Sequence, residues 1–387
     1  MKKLSVHTVI LFIMIIFGTC SEPYTPELGK YEDILVIDGV ITNEPGPYTV
    51  RLSRSFPYSE SEGLPEQQAT VLIRDDRGNV GTLIETSPGV YSTISPDFRG
   101  IIGRHYQLYV ITADQQVWES EYVELKKVPE IGNLYAEFGE KTGKNEMLEG
   151  FQIYVDTHDP DNLTRYYRYD YEEIWEFTVP YPSYYLVENG LLIFRTEAVG
   201  RCWKTVPCED ILVTTSENME SDVIRRFPVY FVSTNSSRLS IRYSILVKQY
   251  SLSREAYVYW NLLKETNQEL GSIFDKQPSQ IRGNVYNMND PEIPVIGFFE
   301  ATSVDSARIF ITRSELPVGT VLKSEFADCK YGYLLIPKNN YLEYANRGYC
   351  MAVDGSNEQI LFGLGVVSEF RCCDCTLSGS NIRPSFW

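Results

Sequence analysis

The fold of this chain is decided by residues 35–41, which read LVIDGVI, and by residues 48–54, which read YTVRLSR. The first segment is rich in β-branched side chains, and the second alternates apolar and polar residues with a period of two, as a half-buried strand does. Between them, residues 43–46 (NEPG) contain the residue types that favour a turn. This pattern of strand, turn and strand predicts a mainly β protein.

The same pattern continues through the first third of the chain. Residues 69–73 and 81–85 are candidate strands that flank the turn sequence DDRGN. A second pair is expected at residues 106–111 and 117–123. Short strands at this spacing, with turn residues between them, are typical of an antiparallel sandwich. The sequence therefore predicts an immunoglobulin-like or transthyretin-like N-terminal domain over residues 31–127.

A larger β-rich second domain is predicted over residues 128–387, with its clearest strands at residues 150–156 and 165–179. One long helix is expected at about residues 253–270, because Ser253 is a suitable N-cap and a glycine follows the segment. Its apolar side chains recur at helical spacing: Ala256, Trp260, Leu263 and Leu270. We interpret this stripe as core packing in preference to a groove for a partner helix.

Composition restricts the class of protein. The chain has 387 residues, which suits two domains that each bury a core. Its formal net charge of −17 argues against nucleic acid and anionic membrane surfaces as partners. The 28 tyrosines are strand-forming residues with an apolar ring and a polar tip, so they predict β-sheets with wet faces.

The N-terminus has the organisation of a lipoprotein signal peptide, predicted over residues 1–19. Lys2 and Lys3 form a basic start, residues 9–17 are apolar, and two small residues precede Cys20. The apolar run is too short for a membrane-spanning helix. We expect Cys20 to become the lipid-bearing N-terminus, followed by an acidic, proline-containing tether over residues 20–30. An ordinary signal peptide with a coincidental cysteine is the alternative.

Catalytic motifs are not recognisable. Beyond the signal segment the chain has two histidines, His105, expected in a strand, and His158, expected in a turn. The nucleophile elbow, the H-E-x-x-H motif and the phosphate-binding loop do not occur in the sequence. The sequence predicts a protein that is not an enzyme, with no catalytic residues and no cofactor. A carboxylate-based hydrolase is the alternative, because it needs no histidine.

Residues 156–162 (DTHDPDN) place several oxygen ligands on one turn, as some calcium sites do. The chain lacks an EF-hand pattern, so a strand-ending turn with local hydrogen bonds is the favoured interpretation. No metal site is predicted.

An aromatic belt runs along residues 166–171 (YYRYDY) and continues to Trp175. In a strand, Tyr167, Tyr169 and Tyr171 would share one face, and Tyr166 and Arg168 the other. Burial of an unpaired guanidinium is costly, so the face with Arg168 is expected to be wet. Partner-binding surfaces concentrate their energy in such side chains. The candidate partner-binding residues are therefore Tyr166, Arg168 and Trp175, with one face of the core as the alternative role.

Besides Cys20, seven cysteines are candidates for disulfides in an exported protein: Cys202, Cys208, Cys329, Cys350, Cys372, Cys373 and Cys375. Six of them would form three bridges and one would remain odd. Cys202 and Cys208 are close enough in sequence for a local bridge. The terminal cluster lacks a matching cysteine pair and a nearby histidine, so bridges that fix the C-terminal strand are favoured over a zinc site.

Several segments together resemble the Bacteroidota outer-membrane lipoproteins grouped as domain of unknown function 4249, and the resemblance covers about residues 30–387. The segments that carry it are residues 36–42, 46–50, 89–91, 166–168, Glu173, Trp175, 201–203, 271–275, 283–285, 297–299, 373–377 and 384–387. The resemblance implies an N-terminal sandwich, a larger β-rich domain and an association with TonB-dependent outer-membrane receptors. It implies no activity and no catalytic residues.

Residues 305–307 (Asp-Ser-Ala) are similar to the acceptor sequence for O-linked glycans in Bacteroidota, which makes Ser306 a candidate glycosylation site. We expect Ser306 in a polar break before a strand at residues 308–311, where a plain turn residue is the alternative.

The function expected from the sequence is that of a lipid-anchored accessory protein of the outer membrane, on its periplasmic or outer face. We expect it to associate with a TonB-dependent receptor in ligand capture or uptake. The alternatives are a surface enzyme active on carbohydrate or peptide and a structural subunit of an outer-membrane assembly.

Overall fold

The computed structural model describes residues 33–387, apart from 56–62, 96–97, 144–145, 190, 270–281, 331, 336–342, 344–345, 348 and 353–363. The predicted signal peptide (1–19), Cys20 and the predicted tether (20–30) lie outside the described residues.

The described chain is mainly β with one long helix, which confirms the predicted fold class. The strands are β1 (Leu35–Thr42), β2 (Thr49–Arg54), β3 (Thr70–Asp75), β4 (Val80–Ser87), β5 (Val90–Thr93), β6 (His105–Ile111), β7 (Val117–Ser120), β8 (Val123–Glu124), β9 (Ile131–Thr142), β10 (Met147–Asp159), β11 (Tyr166–Thr178), β12 (Tyr185–Glu188), β13 (Leu191–Phe194), β14 (Arg201–Pro207), β15 (Leu212–Thr215), β16 (Asp222–Ser233), β17 (Arg242–Ser251), β18 (Val285–Asn287), β19 (Val295–Thr302), β20 (Val304–Thr312), β21 (Gly332–Leu335), β22 (Tyr349–Ala352) and β23 (Leu364–Glu369). The helix α1 is Arg254–Glu269. Short 3₁₀ turns lie at Arg313–Glu315, Phe370–Cys372 and Cys375–Leu377.

The first sheet has ten strands in the order β18-β7-β6-β3-β4-β5-β2-β1-β19, with β8 paired to β6. Its two end strands follow each other in sequence, so the sheet curls until it is nearly closed. Buried side chains such as Ile37, Val50, Leu108 and Phe299 form its core, each at most 1% exposed. All ten strands belong to one continuous sheet, so the predicted sandwich of two stacked sheets is not confirmed.

This first unit is assembled from two separate parts of the chain. β19 pairs in parallel with β1, from Leu35 opposite Val295 to Thr42 opposite Thr302. β18 pairs with β7 on the other side of the seam. A unit made of residues 31–127 alone would lack both strands. The first sheet therefore extends beyond the predicted domain boundary at 127/128.

The linker between the two predicted domains is held in place by hydrogen bonds. Ser251 Oγ donates to the Lys126 carbonyl at 3.0 Å, and Gln249 Nε2 donates to the Pro129 carbonyl at 2.8 Å. Lys126 also forms a parallel backbone bridge with Thr302. The predicted boundary therefore lies in a segment between β8 and β9 that is hydrogen-bonded to β17 and β19.

The second unit consists mainly of two sheets that face a common core. One has the order β16-β10-β9, and the other has the order β14-β11-β17-β20 with β15 also on β11. Ile153, Val155, Tyr167 and Ile245 are buried between them. Two smaller sheets are β12-β13, near the middle of the chain, and β21-β23-β22, near its C-terminus.

The helix α1 confirms its sequence prediction. Ser253 is its cap, because the backbone N–H of Ala256 donates to Ser253 Oγ at 3.1 Å. Ala256 and Tyr259 are buried against Leu252 and Phe298, so the apolar stripe packs in the core as interpreted. Leu270, the last residue of that stripe, lies outside the described residues.

Many tyrosines lie in the cores, so the expectation of wet, tyrosine-rich sheet faces is wrong for them. Tyr91, Tyr106, Tyr167, Tyr169 and Tyr243 are at most 1% exposed. Burial of these side chains does not leave a polar group unsatisfied, because their hydroxyl groups are hydrogen-bonded. For example, Tyr91 Oη donates to the Glu66 carbonyl at 2.9 Å.

Candidate binding surfaces

The predicted aromatic belt lies on β11, and its alternation is confirmed. Tyr167, Tyr169 and Tyr171 point into the core between the two larger sheets of the second unit and are at most 6% exposed. Trp175 is 2% exposed and belongs to the same core. The prediction that Trp175 binds a partner is therefore wrong, and the alternative core role is confirmed for this face.

The other face of the belt is not the wet surface that the sequence suggests. Arg168 is 17% exposed, and its Nη2 lies 3.2 Å from Glu300 Oε2. Its guanidinium carbon is 5.0 Å from the ring centroid of Trp260 on α1. Tyr166 packs on Tyr257 of the same helix, with ring centroids 5.3 Å apart. Because α1 and β19 cover this face, Tyr166 and Arg168 are not exposed partner anchors.

A second charge is buried in the core beneath β11. The Glu173 side chain is 2% exposed, accepts a hydrogen bond from Tyr243 Oη at 2.8 Å and lies 3.4 Å from Arg238 Nη1. Burial raises the pKa of Glu173, although Arg238 and Tyr243 act in the opposite direction. Both carboxylate oxygens have protein partners, so Glu173 is a hydrogen-bonded core residue and not a group that is open to a ligand.

The raised pKa of Glu173 predicts a pH-dependent contribution to stability. For a carboxyl group whose pKa in the folded state exceeds its unfolded value of 4.5, the contribution is fully present below that value and is lost as the pH rises through the raised pKa. Glu173→Gln cannot ionise. We measure the free energy of unfolding in urea titrations at a series of pH values. The value for the wild type, minus that for the variant, should fall as the pH rises above about 4.5. A difference that rises over this range would contradict the assignment.

Partly exposed aromatic rings do occur on the outer face of the sheet β16-β10-β9. Tyr135 lies opposite Tyr154, with ring centroids 5.7 Å apart. Gln152, next but one along β10, lies between Glu137 of β9 and Phe231 of β16. We call this surface the three-strand face: Tyr135, Glu137, Gln152, Tyr154, Asp156, Arg226 and Phe231.

A doubly hydrogen-bonded ion pair orients the polar groups of the three-strand face. Arg226 donates to both oxygens of Glu137, at 2.7 and 2.6 Å, and its guanidinium carbon lies 4.5 Å from the centroid of the Tyr154 ring. These hydrogen bonds lower the pKa of Glu137. The Arg226 backbone has φ +52°, a left-handed conformation that is uncommon for a residue other than glycine. Its N–H donates to Asp156 Oδ1 at 2.7 Å.

The three-strand face borders a depression. Gly139 and Gly150 are paired across β9 and β10, and a Cβ at Gly150 would lie 2.9 Å from Phe231 Cζ. A cavity of about 520 Å³ adjoins it, with Gln152, Phe231 and Lys141 in its lining. This surface is not apparent from the sequence, because its residues come from three strands. The feature of the sequence that could have indicated it is the alternation, within each strand, of Tyr135 or Tyr154 with side chains that face the core.

A second exposed aromatic surface is the hairpin of β12 and β13, which we call the aromatic hairpin: Tyr184, Leu191 and Phe194, which are 50%, 67% and 65% exposed. The Tyr184 and Phe194 rings stack with centroids 6.4 Å apart. Its base is fixed to the C-terminal segment, since the Ser183 N–H donates to the Cys373 carbonyl at 2.9 Å and Arg195 pairs with Asp374. The exposed side chains are thus held on a firm support.

The seam of the curled sheet contains a groove of about 430 Å³. The side-chain amide of Asn284 closes one end of the seam by exchanging two hydrogen bonds with the Phe299 backbone, at 2.9 and 2.8 Å. Gly283 lies so close to Gly297 that a Cβ would be 1.4 Å from the Gly297 oxygen. This contact requires glycine at position 283. It gives a physical reason for the glycines at the start of residues 283–285 and 297–299, two of the segments that carry the resemblance.

Six cysteines form three disulfides, Cys202–Cys375, Cys329–Cys372 and Cys350–Cys373. Cys208 is the free thiol of the described chain, and burial raises its pKa to about 11. The predicted local bridge between Cys202 and Cys208 is wrong, because Cys202 in β14 is bridged to the C-terminal segment instead. The prediction of three bridges that fix the C-terminus is confirmed.

The oxygen-rich turn at residues 156–162 is structural, as favoured. Asp159 Oδ2 accepts the backbone N–H groups of Leu163 and Thr164, both at 2.8 Å. His158 lies within β10 instead of a turn, and its Nδ1 is 2.7 Å from the Asp222 oxygen. Across the described part of the chain, no group of three or more histidine, cysteine or acidic side chains is arranged to hold a metal ion.

Ser306 is exposed, but it lies inside β20, opposite Lys248, and not in a break before the strand. The polar residues Asp305 and Ser306 are accommodated because β20 is an edge strand of its sheet. Glycosylation of Ser306 stays a prediction.

These features define a mainly β protein with a curled first sheet, a two-sheet second unit and a C-terminus fixed by disulfides. The chain belongs to the family described as Domain of unknown function (DUF4249), which matches residues 21–308. The search of curated proteins found no match. Within the described residues, none of the helices has the length and apolar character needed to cross a membrane.

Proposed function

We propose that this protein is a lipid-anchored binding protein of the outer membrane that acts as an accessory subunit of a TonB-dependent receptor in ligand capture or uptake. The observation that carries the proposal is that aromatic side chains reach solvent on two separate surfaces, in part on the three-strand face and to at least half of their area on the aromatic hairpin. An accessory subunit needs one surface for its ligand and another for its partner.

The N-terminal sequence supports the membrane anchor. Cys20 follows a short apolar segment and two small residues, which is the arrangement expected of a lipidated cysteine. The net charge of −17 keeps the folded part away from anionic headgroups, so the acyl chains provide the attachment.

The aromatic hairpin is the surface that we assign to the receptor. Large exposed apolar side chains that stand together mark interaction sites, and rigid aromatic rings contribute much of the binding energy at such sites. The support from the C-terminal segment limits the conformational entropy that docking would cost.

We expect Tyr184→Ala combined with Phe194→Ala to reduce receptor recovery about tenfold or more. The side chains are at least half exposed, so the melting temperature should change little. The measurement is quantitative pull-down of the tagged protein from detergent-solubilised outer membranes. Tyr122→Ala is the matched control, because Tyr122 is 51% exposed in the first unit. Equal receptor recovery with all three proteins would rule out the hairpin as the docking site.

A further inference from the structure

We infer that the three-strand face binds a neutral oligosaccharide; the inference rests on the proposed binding role and specifies the chemical class of the ligand. The apolar faces of sugar rings stack on aromatic side chains. Tyr135 and Tyr154 lie side by side on β9 and β10, with ring centroids 5.7 Å apart, and Phe231 of β16 lies opposite Gln152 on the same face.

The polar groups between the rings suit hydroxyl groups. Glu137 and Arg226 already satisfy part of each other's hydrogen-bonding capacity, but each is about half exposed and retains outward acceptors and donors. A sugar hydroxyl donates to one group and accepts from the other, so a fixed pair of carboxylate and guanidinium matches it. The backbone of Arg226, with its φ of +52°, aims the side chain across the Tyr154 ring.

The charge of the face argues for a neutral ligand. Glu137 and Asp156 are balanced by Arg226 and by Lys141, whose Nζ lies 5.5 Å from the centroid of the Phe231 ring. The whole chain carries −17, so this local balance distinguishes the face from the acidic remainder of the protein. An anionic polymer would gain no net attraction here, and a cationic one would bind elsewhere equally well.

The available space also fits. The paired Gly139 and Gly150 leave the surface low beside Phe231, and the adjoining cavity of about 520 Å³ extends the binding area past Gln152. This volume falls within the range typical of small-ligand sites. An oligosaccharide would therefore lie on the aromatic side chains and place one sugar unit in the cavity.

Affinity electrophoresis of the full-length protein in detergent tests the inference, with laminarin, dextran, galactomannan and xylan as neutral polysaccharides and polygalacturonate as an anionic one. At least one neutral polymer should retard the wild type, and Tyr154→Ala should raise the dissociation constant about tenfold, since a stacked ring contributes roughly this much. Tyr154→Phe should retain binding because the ring remains, and it shows that the site still folds.

Tyr122→Ala serves as the matched control and should bind as the wild type does. Retardation by polygalacturonate alone, no retardation by any neutral polymer, or equal binding by Tyr154→Ala at an unchanged melting temperature would overturn the inference. These outcomes are independent of receptor co-purification, so a failure here is distinguishable from a failure of the proposed function.

Discussion

Removal of the Cys202–Cys375 disulfide should lower the free energy of unfolding by about 4 kcal/mol. The bridge joins residues 173 apart in sequence, so its loss releases a very long loop in the unfolded chain. In the folded protein it fixes the C-terminal segment to β14, where Trp203 and Ser380 also exchange backbone hydrogen bonds at 2.8 and 2.9 Å. The measurement is urea unfolding of the Cys202→Ala, Cys375→Ala double variant without reductant.

Cys208→Ala is the control, because Cys208 lies near Cys202 in sequence and is a free thiol. Its effect should stay below about 1 kcal/mol. A double variant as stable as the control would show that the bridge does not restrict the unfolded chain.

Arg168→Ala should cost about 3 kcal/mol, because it leaves the Glu300 carboxylate, only 4% exposed, without its cation. The side chain also contacts the rings of Tyr250 and Trp260, at 4.4 and 5.0 Å. Loss of the guanidinium therefore weakens the junction of β11, β19 and α1. Urea unfolding measures the change.

Two further variants separate charge burial from lost packing. Glu300→Gln in the Arg168→Ala background removes the unpaired charge and should recover at least about 1 kcal/mol. Arg51→Ala breaks an exposed pair with Asp38, whose side chains are 68% and 64% exposed, and should cost less than about 1 kcal/mol. Similar losses for Arg168→Ala and Arg51→Ala would show that Arg168 is solvated.

The parts of the fold that depend on local pattern could be predicted from the sequence. The strand predicted at residues 35–41 is β1, Leu35–Thr42, and the helix predicted at about residues 253–270 is α1, Arg254–Glu269. The parallel pairing of β1 with β19 could not be predicted, because it joins segments about 260 residues apart and leaves no signal in either of them. The curled shape of the first sheet depends on that pairing.

The candidate sites could be predicted only in part, because they too depend on contacts between distant segments. Alternation along β11 was correctly interpreted, but which face is covered depends on Trp260 and Glu300, which come from distant elements. Burial of Arg168 looked too costly from its own segment, because its partners were not visible there. Likewise, closeness in sequence suggested a bridge from Cys202 to Cys208, whereas the fold brings Cys375 to Cys202.

We propose, above all, that this protein is a membrane-anchored subunit that binds a receptor. The most direct test is quantitative mass spectrometry of the complex purified through the tagged full-length protein from detergent-solubilised outer membranes. We expect one TonB-dependent receptor in an amount equimolar with the tagged protein. Recovery of the protein alone, or with outer-membrane assembly factors and no such receptor, would contradict it.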